Sequence, residues 1–156
     1  MLNLVLYQPD IPQNLGACLR LSACLGAVVH VVEPCGFPLD DTRLRRAGMD
    51  YIDKARYVRH RDWQAFLDYR QGQVAAGRLL LLETDGVVRY TDVAFAPEDY
   101  VVVGNESAGT PRALYAQMDG VITIPMREGM RSLNLAMSAG MLVAEAARQM
   151  GWEIDG

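Results

Sequence analysis

The sequence predicts an α/β protein: a mostly parallel sheet with helices on both faces. Three observations point that way. Short, predominantly apolar runs recur at residues 2–7, 27–32, 79–82, 100–103 and 121–124, the pattern of strands buried on both sides. Helical patterning separates several of them, and strand, helix and strand within the first thirty-odd residues make a βαβ unit. Hydrophobic residues make up 51% of the 156 and charged residues 22%, which supports a proper core and excludes a disordered, collagenous or disulfide-rich chain. No linker, repeat or low-complexity segment interrupts residues 1–156, so one domain is expected.

The elements follow in order. Pro9, Pro12 and Asn14 end the first strand and restart the chain as a helix, along which Leu15, Cys18, Ser22 and Leu25 form a core stripe closed by Gly26. Asp62 as a cap, followed by Trp63, Phe66 and Leu67, predicts an amphipathic helix ending near Gly72. After the strand at 100–103, Thr110-Pro111 is a cap-plus-first-turn signal for a further helix, and Asp119-Gly120 turns the chain into the strand at 121–124. A last helix from about Ser132 to Met150 has Leu133, Leu135, Met137, Met141, Leu142, Val143, Ala144, Ala146 and Ala147 around most of its circumference. Such a helix needs burial on several sides, which points to a homodimer interface, with an internal helix in a monomer as the competing reading.

The net charge of −4 repels nucleic acid in bulk, so any polyanion must be held by local clusters. Arg43, Arg45 and Arg46 form one, Arg56, Arg59, His60 and Arg61 another, and Arg127 and Arg131 follow later; Lys54 is the only lysine. Cys18, Cys24 and Cys35 are odd in number and lack a C-x-x-C pair, which suits a reducing compartment and small buried hydrophobes rather than disulfides. His30 and His60 have no ligand-like neighbours at zinc spacing, so no metal is expected. No export signal or apolar stretch of ~18 residues is present, so no membrane partner is expected and the cytoplasm is the default location.

The loop Gly104-Asn105-Glu106-Ser107-Ala108-Gly109-Thr110-Pro111 joins a strand to a helix start, where free N–H groups favour an electron-rich ligand. Thr110 stands where a phosphate-binding loop needs lysine, and Asn105 where a serine-hydrolase elbow needs glycine, so both chemistries are set aside. Glu33 follows the second strand, where a dinucleotide fold would place its ribose-binding acid. Residues 8–16 hold one glycine and no G-x-G-x-x-G, so Glu33 reads as a strand-end carboxylate. Arg20 points away from the Leu15/Leu25 stripe, which by itself means a solvated helix face.

Taken together, Pro12-Gln13-Asn14-Leu15-Gly16-Ala17-Cys18-Leu19-Arg20, the 104–111 loop, and Ile124-Pro125-Met126 followed by Arg131-Ser132-Leu133-Asn134-Leu135 resemble the three motifs of the SPOUT-superfamily RNA 2′-O-methyltransferases. The opening Leu2-Asn3-Leu4-Val5-Leu6-Tyr7 and residues 33–51 narrow the resemblance to the TrmL type, small enzymes acting on the tRNA wobble nucleotide. The resemblance implies a deep trefoil knot in the C-terminal part, against the general rule that chains avoid threading. It implies S-adenosylmethionine bound in that knot by Leu82, Gly104, Glu106, Ile124, Met126, Ser132 and Leu133, with Gly104 bare so that the backbone can approach the cofactor. It further implies methylation of the 2′-hydroxyl of a wobble cytidine or uridine in the tRNA anticodon stem-loop, with Arg20 as the catalytic residue beside the target ribose. Asn14, Arg43, Arg46, Arg131 and Asn134 are the candidates for substrate contact.

A guanidinium with a pKa above ~12 is a poor general base, so gripping a substrate phosphate and stabilising a developing alkoxide is the easier chemistry for Arg20. Ala108, Thr110, Ala136-Met137 and Ala144 depart from the residues common in the family, which bears on substrate contacts more than on the cofactor knot. The competing readings are the same chemistry on another tRNA site or on ribosomal RNA, and a catalytically silent RNA-binding protein on the same fold.

Overall fold

The structure is a computed structural model that describes residues 1–46 and 51–151. Residues 47–50, part of the 33–51 stretch used in the resemblance, lie outside the described residues. In chain order the elements are β1 (Asn3–Tyr7), α1 (Pro12–Leu25), β2 (Val28–Val32), α2 (Asp41–Arg46), β3 (Arg56–His60), α3 (Trp63–Gln71), β4 (Leu79–Leu82), β5 (Val88–Arg89), β6 (Tyr100–Val103), α4 (Arg112–Tyr115), β7 (Gly120–Thr123) and α5 (Leu135–Gln149). Among the described residues the seven strands form one sheet in the order β3-β2-β1-β6-β4-β7-β5, and every pairing is parallel.

Alternation along the strands splits the core in two. Leu4, Leu6, Val29, Val31, Leu80, Val101 and Ile122 pack with Leu15, Cys18 and Leu19 of α1 and Leu135, Ala139 and Leu142 of α5. Val5, Val32, Leu79, Leu81 and Val102 face the other way, against Phe66 of α3 and Tyr115 of α4. Each fully buried leucine or valine contributes about 1.5–3 kcal/mol relative to exposure, so both faces of the sheet must be covered. The first and last long helices, α1 and α5, pack on each other over the same face.

Local signals explain the helix ends. Asp62 accepts from Ala65 N–H at 2.8 Å and starts α3, while Gly26, at φ +79°, donates to Ser22 O and stops α1. Two expectations are corrected. Thr110-Pro111 opens only the four-residue α4, and no side chain caps it. The last helix begins at Leu135 rather than Ser132, because the Asn134 side chain accepts from Ala136 and Met137 N–H and so becomes the cap. Residues 132–134 are thereby left as loop.

The basic run at 56–61 also contains an unanticipated strand. β3 is the edge strand beside β2, with Arg56 and Arg59 exposed and His60 buried, a charged edge that discourages further pairing. The cysteines behave unevenly: Cys18 is buried, with its thiol pushed up to about 12 chiefly by burial, whereas Cys24 is exposed and does not fit the buried reading.

β3 also brings His60 to His30, a pairing that the sequence did not suggest. Asn3 Nδ2 donates to Asp99 O at 3.4 Å, so its Oδ1 accepts from His30 Nε2–H at 3.1 Å. His30 Nδ1 is then an acceptor, taking the His60 Nε2–H at 3.0 Å. Phe66, Tyr69 and Tyr100 surround the pair. Burial, and secondarily the charge His60 would carry, lowers His30 from 6.5 to about 3; burial lowers His60 as well. The unfolded chain therefore takes up protons as pH falls through about 6.5 while the folded chain does not, so stability is full above that pH and declines below it. His30 alone is expected to remove about 2 kcal/mol by pH 5. Urea unfolding at a series of pH values from about 8 to 5 checks this, and a flat profile contradicts it.

Candidate active site

β6, β4 and β7 lie side by side, so the loops leaving their C-terminal ends meet above the sheet, where ligands collect in open parallel α/β folds. Together with the start of α1 they enclose a cavity of about 450 Å³, within the usual range for a small-molecule site. Leu82, Gly104, Glu106, Ile124, Met126, Ser132 and Leu133 all line it, as do Asn14, Arg131 and Asn134. Four separate segments, the start of α1 and the stretches after β4, β6 and β7, are thus gathered at one place.

Arg20, Arg43 and Arg46 do not line the cavity. Arg20 is exposed on α1, its guanidinium 4.8 Å from the centre of the Tyr51 ring. Arg43 is held by Asp40 at 3.2 Å, while Arg46 is exposed and has no ion-pair partner among the described residues. Glu83, Thr84, Ser107, Thr123 and Ser138 also line the cavity and were not anticipated. The signal for Glu83 and Thr84 was available: they directly follow a buried parallel strand, at its ligand-facing end.

One hydrogen-bonded chain ties the three motif segments together. Glu106 Oε2 accepts from Asp10 N–H at 2.7 Å, and Oε1 accepts from Ile11 N–H at 3.3 Å and Asn14 Nδ2 at 3.2 Å. The carboxylate thereby serves the start of α1, where Ile11 has no capping side chain of its own. Asn14 Oδ1 in turn accepts from Asn134 Nδ2 at 3.0 Å, and Asn134 caps α5. Glu106, expected as a cofactor contact, lines the cavity while its two carboxylate oxygens accept these protein donors.

The 104–110 loop is braced from within. Asn105 Oδ1 accepts from Ser107 and Ala108 N–H, its Nδ2 donates to Gln8 O at 2.6 Å, and Asn105 and Gly109 exchange backbone hydrogen bonds. A Cβ on Gly104 would lie 2.5 Å from Thr110 Oγ1, 2.7 Å from the Gly109 carbonyl carbon and 2.8 Å from Glu83 Oε1. The demand for glycine there therefore comes first from the protein's own atoms, and a ligand's approach adds to it. Among the described residues no group of three or more His, Cys, Asp or Glu side chains is placed to hold a metal ion.

A family model described as the SpoU rRNA Methylase family matches residues 1–144. A tRNA (cytidine(34)-2′-O)-methyltransferase of Beijerinckia indica is 50% identical over 149 residues, covering 95% of this chain and 91% of its own. A solved structure reported under "Structural insights into the 2-OH methylation of C/U34 on tRNA" is 38% identical, with a TM-score of 0.88 and 97% of both chains covered. The SpoU methyltransferase AviRb of Streptomyces viridochromogenes, solved in complex with AdoMet, is 26% identical with a TM-score of 0.83, covering 95% of this chain and 60% of that one. With a parallel sheet that superimposes on these structures and a family match running from residue 1 to residue 144, the chain belongs to the SpoU rRNA Methylase family.

Proposed function

We propose that this protein transfers the methyl group of S-adenosylmethionine to the ribose 2′-hydroxyl of the wobble nucleotide of tRNA, a cytidine or uridine at position 34. The observation that carries this reading is the convergence of four distant segments on one cavity, in a chain related over nearly its whole length to tRNA (cytidine(34)-2′-O)-methyltransferases. The cavity fits the cofactor: its volume is adequate, Leu82, Ile124, Met126 and Leu133 offer apolar surface to a purine, and the braced loop presents backbone groups around Gly104. Leu82, Gly104, Ile124, Met126, Ser132 and Leu133 would hold it directly, and Glu106 would act by fixing the loop to α1.

S-adenosylmethionine, when bound, supplies an electrophilic methyl group. The protein's part is then to orient the ribose and to stabilise charge, which in well-aligned reactions accounts for up to ~7–11 kcal/mol of barrier. Arg20 grips the phosphate next to the target ribose and stabilises the 2′-oxygen as it releases its proton to solvent water. Arg131 at the cavity and Arg46 on α2, both without ion-pair partners among the described residues, contact the anticodon stem-loop, with Asn14 and Asn134 at the cavity edge. Arg43 would have to exchange Asp40 for RNA phosphate, which makes it the weaker contributor.

A homodimer belongs to the same reading. α5 exposes Met137, Met141 and Ala144, and α1, packed against it, exposes Ala17, Arg20 and Cys24. An apolar surface of this kind suits a second copy, and that packing is a route by which an Arg20 absent from its own cavity reaches one. The C-terminal part is proposed to form the deep trefoil knot, since β7 returns to lie beside β4 and the chain then passes the 104–110 loop to set α5 on α1. Residues 1–156 are taken as one domain, and a tRNA substrate supports a cytoplasmic location. No helix among the described residues is long and apolar enough to cross a membrane.

The test is methyl transfer from labelled S-adenosylmethionine to tRNA taken from a strain lacking this protein, followed by nucleoside mapping. Label on the ribose at position 34 is the expected result. Label elsewhere keeps the chemistry and moves the substrate, and absence of label despite cofactor binding favours a silent RNA-binding protein.

A further inference from the structure

We propose that the Glu83 carboxylate accepts hydrogen bonds from the ribose hydroxyls of the cofactor and so determines the cavity's specificity for a ribonucleoside; this rests on the S-adenosylmethionine reading above. Among the described residues two carboxylates line the cavity. Both Glu106 oxygens are engaged by Asp10 N–H, Ile11 N–H and Asn14 Nδ2, so Glu106 has little left to offer a ligand. Glu83 differs. Its Oε1 accepts from Thr110 N–H at 2.9 Å, whereas its Oε2 has no hydrogen-bond or ion-pair partner among the described residues.

The group is also uncovered and pre-positioned. Glu83 N–H donates to Ile122 O at 3.0 Å, which fixes its backbone at the end of β4. Gly104 and Gly109 stand over the carboxylate without side chains: a Cβ on Gly104 would be 2.8 Å from Oε1, and one on Gly109 would be 3.3 Å from Oε1 and 3.9 Å from Oε2. An ionised carboxylate is purely an acceptor, so its partner must bring donors, and a vicinal diol brings two. Leu82 and Ile124 also line the cavity beside this strand end, which suits the nucleoside half of the cofactor rather than its charged amino-acid end. An acid at a strand end reading a ribose is the solution that dinucleotide folds use. Glu33, the strand-end carboxylate that follows β2, is taken up by Arg59 at 2.9 Å.

Calorimetric titration of wild type and Glu83→Gln with S-adenosylmethionine, S-adenosylhomocysteine and 2′- and 3′-deoxy analogues of S-adenosylhomocysteine tests the assignment. Glutamine keeps an acceptor for Thr110 N–H, so the loop should hold. Glu83→Gln is expected to weaken both parent ligands by about tenfold, and wild type to bind at least one deoxy analogue about tenfold more weakly than the parent. In the variant that discrimination should shrink to below about threefold. Loss confined to S-adenosylmethionine would mean that Glu83 senses the sulfonium charge, and would overturn the diol assignment. Unchanged affinities, or deoxy discrimination equal in both proteins, would overturn it as well. Should the variant fail to fold, equal binding of parent and deoxy ligands by wild type is still sufficient to reject it. Failure of wild type to bind any of the ligands would overturn the cofactor reading itself, a result distinct from binding that ignores Glu83.

Discussion

Arg20→Lys is expected to lower single-turnover methylation of tRNA by about 10²-fold or more, while S-adenosylmethionine affinity stays within about twofold. The two readouts separate because Arg20 does not line the cavity of its own chain, so the cofactor does not depend on it. Lysine retains the positive charge and can keep the contact with the Tyr51 ring, 4.8 Å away in the arginine form. What lysine lacks is the planar fork that can hold a phosphate through two parallel hydrogen bonds while meeting charge on a neighbouring oxygen. A rate loss under saturating cofactor and tRNA therefore reports on geometry rather than net charge. Rapid-quench kinetics gives the rate and calorimetry the affinity. A near-normal rate would remove Arg20 from the chemistry, and a matching loss of cofactor affinity would make it a structural residue.

Gly104→Ala should reduce cofactor affinity by about 100-fold and lower the unfolding midpoint by several degrees. The added methyl would sit at 2.5–2.8 Å from Thr110 Oγ1, Gly109 C and Glu83 Oε1 at once. One of these is backbone, Glu83 is tethered by Thr110 N–H, and Thr110 is buried, so no flexible side-chain end is free to yield. The loop must move as a body, and its braces through Asn105 would strain or break. A displacement of about 1 Å in a positioning loop can cost ~10²-fold, which sets the expected scale. Titration with S-adenosylhomocysteine and thermal unfolding together check it. Wild-type affinity with unchanged stability would show that the loop accommodates a side chain, and would refute the packing account of this glycine.

Local chemistry determined much of this protein. Predominantly apolar runs made β1, β2, β4, β6 and β7 legible, and Asp62, Gly26 and Gly72 marked helix ends because a cap acts within three or four residues of itself. The ordered motifs also marked the segments that border the cavity. The sequence did not reveal β3, whose arginines interrupt the apolar pattern because only an edge strand lets them reach water. Nor did it reveal β5, two residues long and identifiable only by its pairing with β7.

Tertiary structure decided everything that depends on which strand lies beside which. β7 pairs with β4 rather than with β6, its predecessor among the longer strands, and only this order brings residues 83, 104 and 124 to one cavity. The helix-capping carboxylate for α1 comes from Glu106, about ninety residues away, and the Asn14–Asn134 bond spans 120 positions. The His30–His60 pair exists because parallel register sets β3 beside β2. Propensity and capping energies fall off within one turn, whereas strand order is set by burying both faces of the sheet at once, a requirement of the whole chain that no local segment encodes.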